Sequence, residues 1–154
     1  MRYASRFTII SCGNRTIDAD GLQKTNLRVL GRSLEALEPG PAVALVDGRL
    51  RLPDCAVPHQ PVIKGDSKSA CIAAASILAK VTRDRLMVKL HESYPEYGFD
   101  GHVGYGSLGH REAIALYGFT PLHRRSFNVT LPDISGQALS EGTKTVIAAD
   151  SGTG

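Results

Sequence analysis

One short apolar run constrains the fold more than any other feature of the sequence. Residues 42–46 are continuously apolar, too few for a helix, and they end at Asp47-Gly48. A run of this length that is apolar on both faces is typical of a central strand in a parallel sheet. The pattern therefore predicts a buried strand at 42–46, with Asp47 at its carboxyl end.

Helical and strand patterns on both sides of this run predict an α/β domain. The predicted elements are a strand at 5–11, a helix from Thr16 to the stop at Pro39-Gly40, a second short strand at 61–63, a long alanine-rich helix at 67–93 and a short helix at 110–117 that Gly118 caps. Small residues on the long helix predict close packing against the sheet. Residues 94–109 hold five glycines, which predicts a loop.

Length and composition are those of one ordinary domain. The 154 residues are 42% hydrophobic and 21% charged, which excludes a collagenous, disordered or disulfide-dense protein. A net charge of +3 is compatible with a polyanionic partner. We expect one domain at 1–130 and a flexible C-terminal tail at 131–154, where apolar residues are few.

Nothing in the sequence indicates a membrane or secreted protein. The chain has neither an apolar stretch of membrane-spanning length nor a secretory signal pattern. Its three cysteines, Cys12, Cys55 and Cys71, are far apart and lack zinc spacing, so we expect them to be reduced. The predicted location is the cytoplasm.

Two aspartates are the candidate chemical site. Asp66 stands nineteen residues after Asp47, at the start of the predicted long helix. Ligands of open α/β sheets bind at the carboxyl ends of strands, and two converging carboxylates favour a shared Mg²⁺ or Mn²⁺ ion. The alternative is structural, with Asp47 beginning an Asp-Gly turn and Asp66 capping the helix. The spacing alone leaves both interpretations open.

Cations interleaved with aromatic rings occupy the same part of the chain. They are Lys64, Lys68, Lys80, Arg83, Arg85, Arg111, Arg124 and Arg125, with Tyr94, Tyr97, Phe99, Tyr105 and Tyr117. Such a mixture suits nucleic acid, because cations meet phosphates and rings stack on bases or sugars. A solvated helix face beside core aromatics is the alternative. Tyr105, flanked by two glycines, and His102 are candidates for substrate contact in the glycine-rich loop.

Six motifs taken together resemble the ribonuclease HII family. They are LVDG at 45–48, VIKGDSK at 62–68, IAAASILAKVTRD at 72–84, YPEYGF at 94–99, HVGYG at 102–106 and HRRSF at 123–127. The match runs from about Ile17 to Val129. The resemblance implies a ribonuclease H-like α/β fold and endonucleolytic hydrolysis of RNA in RNA/DNA hybrids, including single ribonucleotides embedded in duplex DNA.

The resemblance also implies residue roles. Asp47 and Asp66 match two of the family's four catalytic, metal-binding carboxylates, and Tyr105 matches the tyrosine that packs against the sugar beside the ribonucleotide. In the family's two-metal scheme, one ion activates the attacking water and the other stabilises the departing 3′ oxygen. The metal would be Mn²⁺ or Mg²⁺. By position, the candidate phosphate contacts are Lys64, Lys68, Arg124 and Arg125.

One family motif is missing from the sequence. The family's Asp-Glu-x-Gly-Arg-Gly segment, which supplies the other two carboxylates, occurs nowhere in the 154 residues. Residues 5–11 resemble the family's third strand. We therefore expect a fold that is incomplete at the N-terminus, with unpaired sheet edges and exposed apolar surface. Two hypotheses remain: a ribonuclease H-type endonuclease without an obligate protein partner, or a catalytically inert nucleic-acid-binding remnant of one.

Overall fold

The computed structural model describes residue 4 and residues 6–134, and it combines helices with a small parallel sheet. In chain order the elements are α1 (Asn14–Asp20), α2 (Leu22–Glu35), β1 (Ala44–Asp47), β2 (His59–Val62), α3 (Ala70–His91), α4 (Phe99–His102) and α5 (Leu108–Tyr117). Single 3-10 turns at Gly65–Ser67 and Pro95–Tyr97 precede α3 and α4. The predicted α/β class is confirmed. Most of the predicted tail, residues 135–154, lies outside the described residues.

The chain divides into two compact units. The first comprises residues 1–86 and 121–128, and the second comprises residues 87–120 and 129–154. Both strands belong to the first unit. The division of the chain into a domain at 1–130 and a tail stays a prediction.

The sheet of the first unit is a parallel pair. In its register Ala44 lies opposite His59 and Asp47 opposite Val62. Ala44 and Val46 are buried, whereas Leu45 between them is 45% exposed. The predicted strand is thus present two residues further along, but one face is buried rather than two. Its last residue is Asp47, as predicted.

The predicted first helix is interrupted at Gly21. This glycine has φ 82°, a conformation that side chains with a Cβ rarely adopt, and it separates α1 from α2. The predicted strand at 5–11 is wrong, because residues 6–11 are irregular. That segment is instead fastened to α2 by Thr8, whose Oγ1 donates a hydrogen bond to Ser33 O at 2.7 Å.

Helix α3 forms as its alanine-rich sequence predicts, but its packing differs from the prediction. Ile72 is buried, whereas Ile77 is 62% exposed and Val81 and Leu86 are also exposed. A close fit of this helix against the sheet is therefore wrong. The exposed apolar surface expected from the sequence is present along this helix.

The second unit has an aromatic core. Tyr97 and Phe99 stack at 5.6 Å between ring centroids and pack with Ala113 and Ile114 of α5. The Tyr97 hydroxyl donates to Gly118 O at 2.8 Å, where α5 ends. The glycine-rich segment predicted as a loop therefore contains a 3-10 turn and a helical turn as well.

The structure also bears on the cysteines and on membrane-spanning helices. Cys12, Cys55 and Cys71 are free thiols, as predicted. Within residues 6–134, no helix combines the length and the apolar character needed to cross a membrane.

Candidate functional site

Asp47 closes β1, and its carboxylate reaches the turn that follows β2. Its Oδ1 accepts a hydrogen bond from the Gly65 backbone N–H at 2.8 Å. Gly65 directly precedes Asp66, so this bond ties the two aspartates to one edge of the first unit. Both aspartates are exposed. The backbone segments that carry the two aspartates are therefore neighbours.

The turn carrying Asp66 begins with a strained residue. Lys64 has φ 54° and ψ 48°, the left-handed region, which costs a residue with a side chain of order 1 kcal/mol. Ser67 holds this conformation, since its N–H and its Oγ donate to Lys64 O at 3.3 and 3.1 Å. The strain turns the chain sharply after β2, which presents Asp66 beside the end of β1.

Gly65 is a site residue that the sequence analysis did not single out. It is buried, and a Cβ at this position would lie 2.6 Å from Ile72 Cδ1 and 3.2 Å from Asp47 Oδ1. Only a residue without a side chain allows the backbone N–H to approach the Asp47 carboxylate while Ile72 packs behind it. A glycine between two charged residues at a strand end was the available signal.

Asp66 also makes a local bond. Its Oδ1 accepts from the Ser67 N–H at 2.9 Å. The prediction that it caps the long helix is wrong, because it lies in the 3-10 turn and α3 begins only at Ala70. Each aspartate thus uses one oxygen locally. Among the described residues, the second oxygen of each carboxylate accepts no hydrogen bond.

The donor set fits a hard divalent cation. Carboxylate oxygens are the ligands that Mg²⁺ and Mn²⁺ prefer, and Mg²⁺ is often held by one or two carboxylates together with water and substrate phosphates. In the part of the chain that the structure describes, no group of three or more His, Cys, Asp or Glu side chains could hold a metal. Asp47 and Asp66 supply two exposed carboxylates on neighbouring segments, which are the donor type that such an ion prefers.

Two pairs of predicted cationic residues lie in the first unit. Lys64 and Lys68 flank Asp66 in sequence and are exposed. Arg124 lies over the ring of Phe127, with its Cζ 3.7 Å from the ring centroid, a favourable cation–π contact. Arg125 is exposed on the same segment.

Helix α1 fastens the segment that carries these arginines. Asp18 Oδ2 accepts from the Arg125 N–H at 2.9 Å, and its Oδ1 accepts from the N–H and the hydroxyl of Ser126. One helical turn earlier, Asn14 Nδ2 donates to the carbonyls of Pro121 and His123 at 2.8 and 2.9 Å. The hydrogen bonds from Arg125 and Ser126 lower the pKa of Asp18, which keeps it a carboxylate. This anchor was not predicted from the sequence, although positions four apart on a helix share a face.

Tyr105 belongs to the second unit and is 58% exposed. Its backbone is held on both sides: its N–H donates to His102 O at 2.9 Å, and its carbonyl accepts from the Ser107 N–H at 2.8 Å. The ring is thus exposed on a loop whose backbone is held by hydrogen bonds, and a residue that stacks on a sugar or base needs this arrangement.

The structure is that of an α/β protein with two exposed aspartates near the carboxyl end of a parallel strand. The family model for ribonuclease HII matches residues 1–130. The chain belongs to the ribonuclease HII family.

Individual relatives agree with this membership. The chain is 42% identical to a ribonuclease HII of Corynebacterium jeikeium over 80% of its own length and 59% of the relative's. For the ribonuclease HII of Geobacillus kaustophilus the identity is 50%, over 72% of the chain and 42% of the relative. For that of Clostridioides difficile it is 46%, over 74% and 44%. The chain spans about half the length of the curated relatives it matches.

Proposed function

We propose that this protein is an endonuclease that hydrolyses RNA in RNA/DNA hybrids, including single ribonucleotides embedded in duplex DNA. The observation that carries the proposal is the hydrogen bond from Gly65 to Asp47, which ties Asp47 and Asp66 to one edge. Membership of the ribonuclease HII family supports the same activity. In this proposal Asp47 and Asp66 are the catalytic metal ligands.

Each candidate site residue has a role in the proposal. Asp47 and Asp66 hold Mg²⁺ or Mn²⁺ through the oxygens that local bonds leave uncommitted. When bound, divalent ions in the two-metal scheme favour ionisation of the attacking water and stabilise the departing 3′ oxygen. Tyr105 packs against the sugar beside the ribonucleotide. The backbone phosphates are contacted by Lys64, Lys68, Arg124 and Arg125.

The test compares two isosteric substitutions. Asp47→Asn keeps an oxygen that can accept from Gly65 but removes the negative charge, so cleavage of a duplex with one ribonucleotide should be abolished in Mn²⁺. Asp54→Asn is the matched control, because Asp54 is an exposed carboxylate in the loop between β1 and β2 and has φ 55°, which asparagine tolerates. Cleavage should persist in this control. Cleavage that survives Asp47→Asn would remove Asp47 from the metal site.

A second candidate function is binding without cleavage. It is favoured by the two-carboxylate site, since the described residues contain no group of three acidic, histidine or cysteine side chains around an ion. The Asp-Glu-x-Gly-Arg-Gly motif is also not among the 154 residues. A binding protein would retain the hybrid with a steep salt dependence and leave it intact in both Mg²⁺ and Mn²⁺. A chain that neither binds nor cuts the hybrid would exclude both candidates.

A further inference from the structure

Two histidines of the second unit form a stacked pair that holds the Tyr105 loop. The rings of His102 and His110 lie 4.6 Å apart between centroids and 13° from parallel. Both pack edge-on against Phe99 of the core. His110 is buried, at 7% exposure, although it is a polar residue. The pair therefore lies between the aromatic core and the loop.

The backbone partners of His102 define its protonation. The Gly104 N–H donates to Nδ1 at 3.1 Å, so Nδ1 has to be without a proton. Nε2 lies 2.6 Å from Tyr97 O, and because a carbonyl only accepts, Nε2 has to carry the proton. His102 is thus a neutral ring with both nitrogens engaged by backbone. It is a support of the loop rather than the substrate contact considered from the sequence.

The backbone that His102 holds is strained. Val103 has φ 43° and ψ 39°, the left-handed region in which a β-branched residue is an outlier. Gly104 follows with φ 76°. The hydrogen bond from Gly104 to the ring compensates for this strain, and the next residue is Tyr105. Removing the acceptor at Nδ1 therefore releases the turn that aims Tyr105.

His110 holds the same loop from the other side. Its Nδ1 lies 2.9 Å from Tyr105 O, so Nδ1 donates. Its own N–H donates to Ser107 Oγ at 3.3 Å, which caps α5. His102 thus accepts from the peptide group between Val103 and Gly104, and His110 donates to the peptide group between Tyr105 and Gly106.

We propose that His102, stacked on His110, is the positioning residue that fixes Tyr105 for its contact with the sugar of the hybrid. The inference rests on the proposed role of Tyr105. The role depends on Nδ1 of His102 as the acceptor for the Gly104 N–H.

Three substitutions of His102 separate the two ring nitrogens. Asparagine places an acceptor where Nδ1 lies, glutamine places a polar group only where Nε2 lies, and alanine removes both. We expect Tyr105→Ala to weaken binding of a duplex with one ribonucleotide about 10-fold, the order of one lost stacking contact. His102→Ala and His102→Gln should weaken it about 5-fold or more, whereas His102→Asn should stay within about 2-fold of the wild type, and a His102 substitution should add nothing to Tyr105→Ala.

Rescue by asparagine supplies a readout that a merely structural role would not give. The affinity ratio of each His102 variant to the same variant carrying Tyr105→Ala should be near one for His102→Ala and His102→Gln but close to the wild-type ratio for His102→Asn. Circular dichroism checks that each variant is folded. A His102→Asn variant that binds as weakly as His102→Ala would overturn the inference.

A measurement without nucleic acid separates this inference from the proposed function. The ¹⁵N shifts of His102 should report a proton on Nε2, and exchange of the Gly104 amide should be accelerated in His102→Ala and His102→Gln but not in His102→Asn. If the wild type binds no hybrid, the proposed function fails while these shifts and rates still decide the loop contact. If Tyr105→Ala weakens binding but His102→Ala does not, the positioning role alone fails.

Discussion

Replacing Gly65 by alanine inserts one methyl group at the point where the two aspartates are joined. The new Cβ would lie 2.6 Å from Ile72 Cδ1, 3.4 Å from Ile72 Cγ2 and 3.2 Å from Asp47 Oδ1. Ordinary contacts of this kind begin near 3.4 Å, so Cδ1 has to move by nearly 1 Å. Ile72 is 5% exposed, and a buried side chain has little room to make such a shift.

Two opposing effects set the magnitude. Overpacking a buried site costs about 1–3 kcal/mol, whereas replacing glycine by alanine restrains the unfolded chain and returns about 0.4–1 kcal/mol. We therefore expect a net loss of about 1–2 kcal/mol in the free energy of unfolding. For a chain of this size that corresponds to a fall of roughly 2–8 °C in the unfolding midpoint. The same methyl group displaces the Asp47 carboxylate, so Mn²⁺ binding should weaken as well.

The assay is thermal unfolding in a double-mutant cycle. Ile72→Val removes Cδ1, the atom with the worst contact, and by itself costs about 0.5–1.5 kcal/mol. Gly65→Ala should therefore be less damaging in the Ile72→Val background, by about 1 kcal/mol. Gly40→Ala is the matched control, since its Cβ meets only Leu37 O at an ordinary 3.8 Å. Strictly additive costs at positions 65 and 72, or equal effects at positions 65 and 40, would refute this account of Gly65.

Three further results are expected. Lys64→Gly should raise the free energy of unfolding by about 1 kcal/mol, because glycine adopts the left-handed conformation without strain. It should also reduce by about one the slope of the logarithm of the hybrid-binding constant against the logarithm of the salt concentration, because one phosphate contact is lost. A binding assay at several salt concentrations measures this second effect. Asp18→Ala should weaken hybrid binding, because the segment that carries Arg124 and Arg125 loses its hydrogen bonds to helix α1. In the Asp18→Ala background, Arg125→Ala should cause no further loss of binding. Unchanged binding in Asp18→Ala would contradict this role of Asp18. Burial and the nearby His102 lower the pKa of His110, so its contribution to stability is present above the ordinary histidine pKa of about 6.5 and is lost as pH falls through the lower value in the folded protein; unfolding midpoints from pH 8 to 5 measure this loss.

The sequence predicted the elements whose signal is local. The apolar run before Asp47 and the alanine-rich stretch of α3 both formed, because short apolar runs and helix propensity act within a few residues. Residues 6–11 did not form a strand, since a strand needs hydrogen bonds from a neighbour that the local pattern does not reveal. The packing of α3 was wrong for the same reason, because a wide apolar stripe does not say what will cover it.

For the candidate site, the sequence pointed to individual residues but not to the hydrogen bonds between them. Asp47 and Asp66 were expected to converge, and the structure shows the Gly65 bond that joins their backbone segments. The roles of Gly65 and Asp18 depend on distances of about 3 Å between groups far apart in sequence, which spacing cannot give. The protonation of His102 is set by two backbone groups within five residues, yet only the folded geometry assigns one to each nitrogen.

The local hydrogen bonds of the two aspartates are compatible with metal binding. A carboxylate has two oxygens, and Asp47 and Asp66 each use Oδ1 for a backbone N–H of the same turn. These bonds fix the orientation of each carboxylate. The second oxygen of each is therefore already held in place before an ion binds, so ion binding does not have to restrict its motion. Asparagine at either position preserves an acceptor for the local bond but halves the charge of the pair. In Asp66→Asn the free energy of unfolding should therefore change little, whereas the affinity for Mn²⁺ should fall tenfold or more. If stability and Mn²⁺ affinity fell together, the role of the aspartates would be structural only.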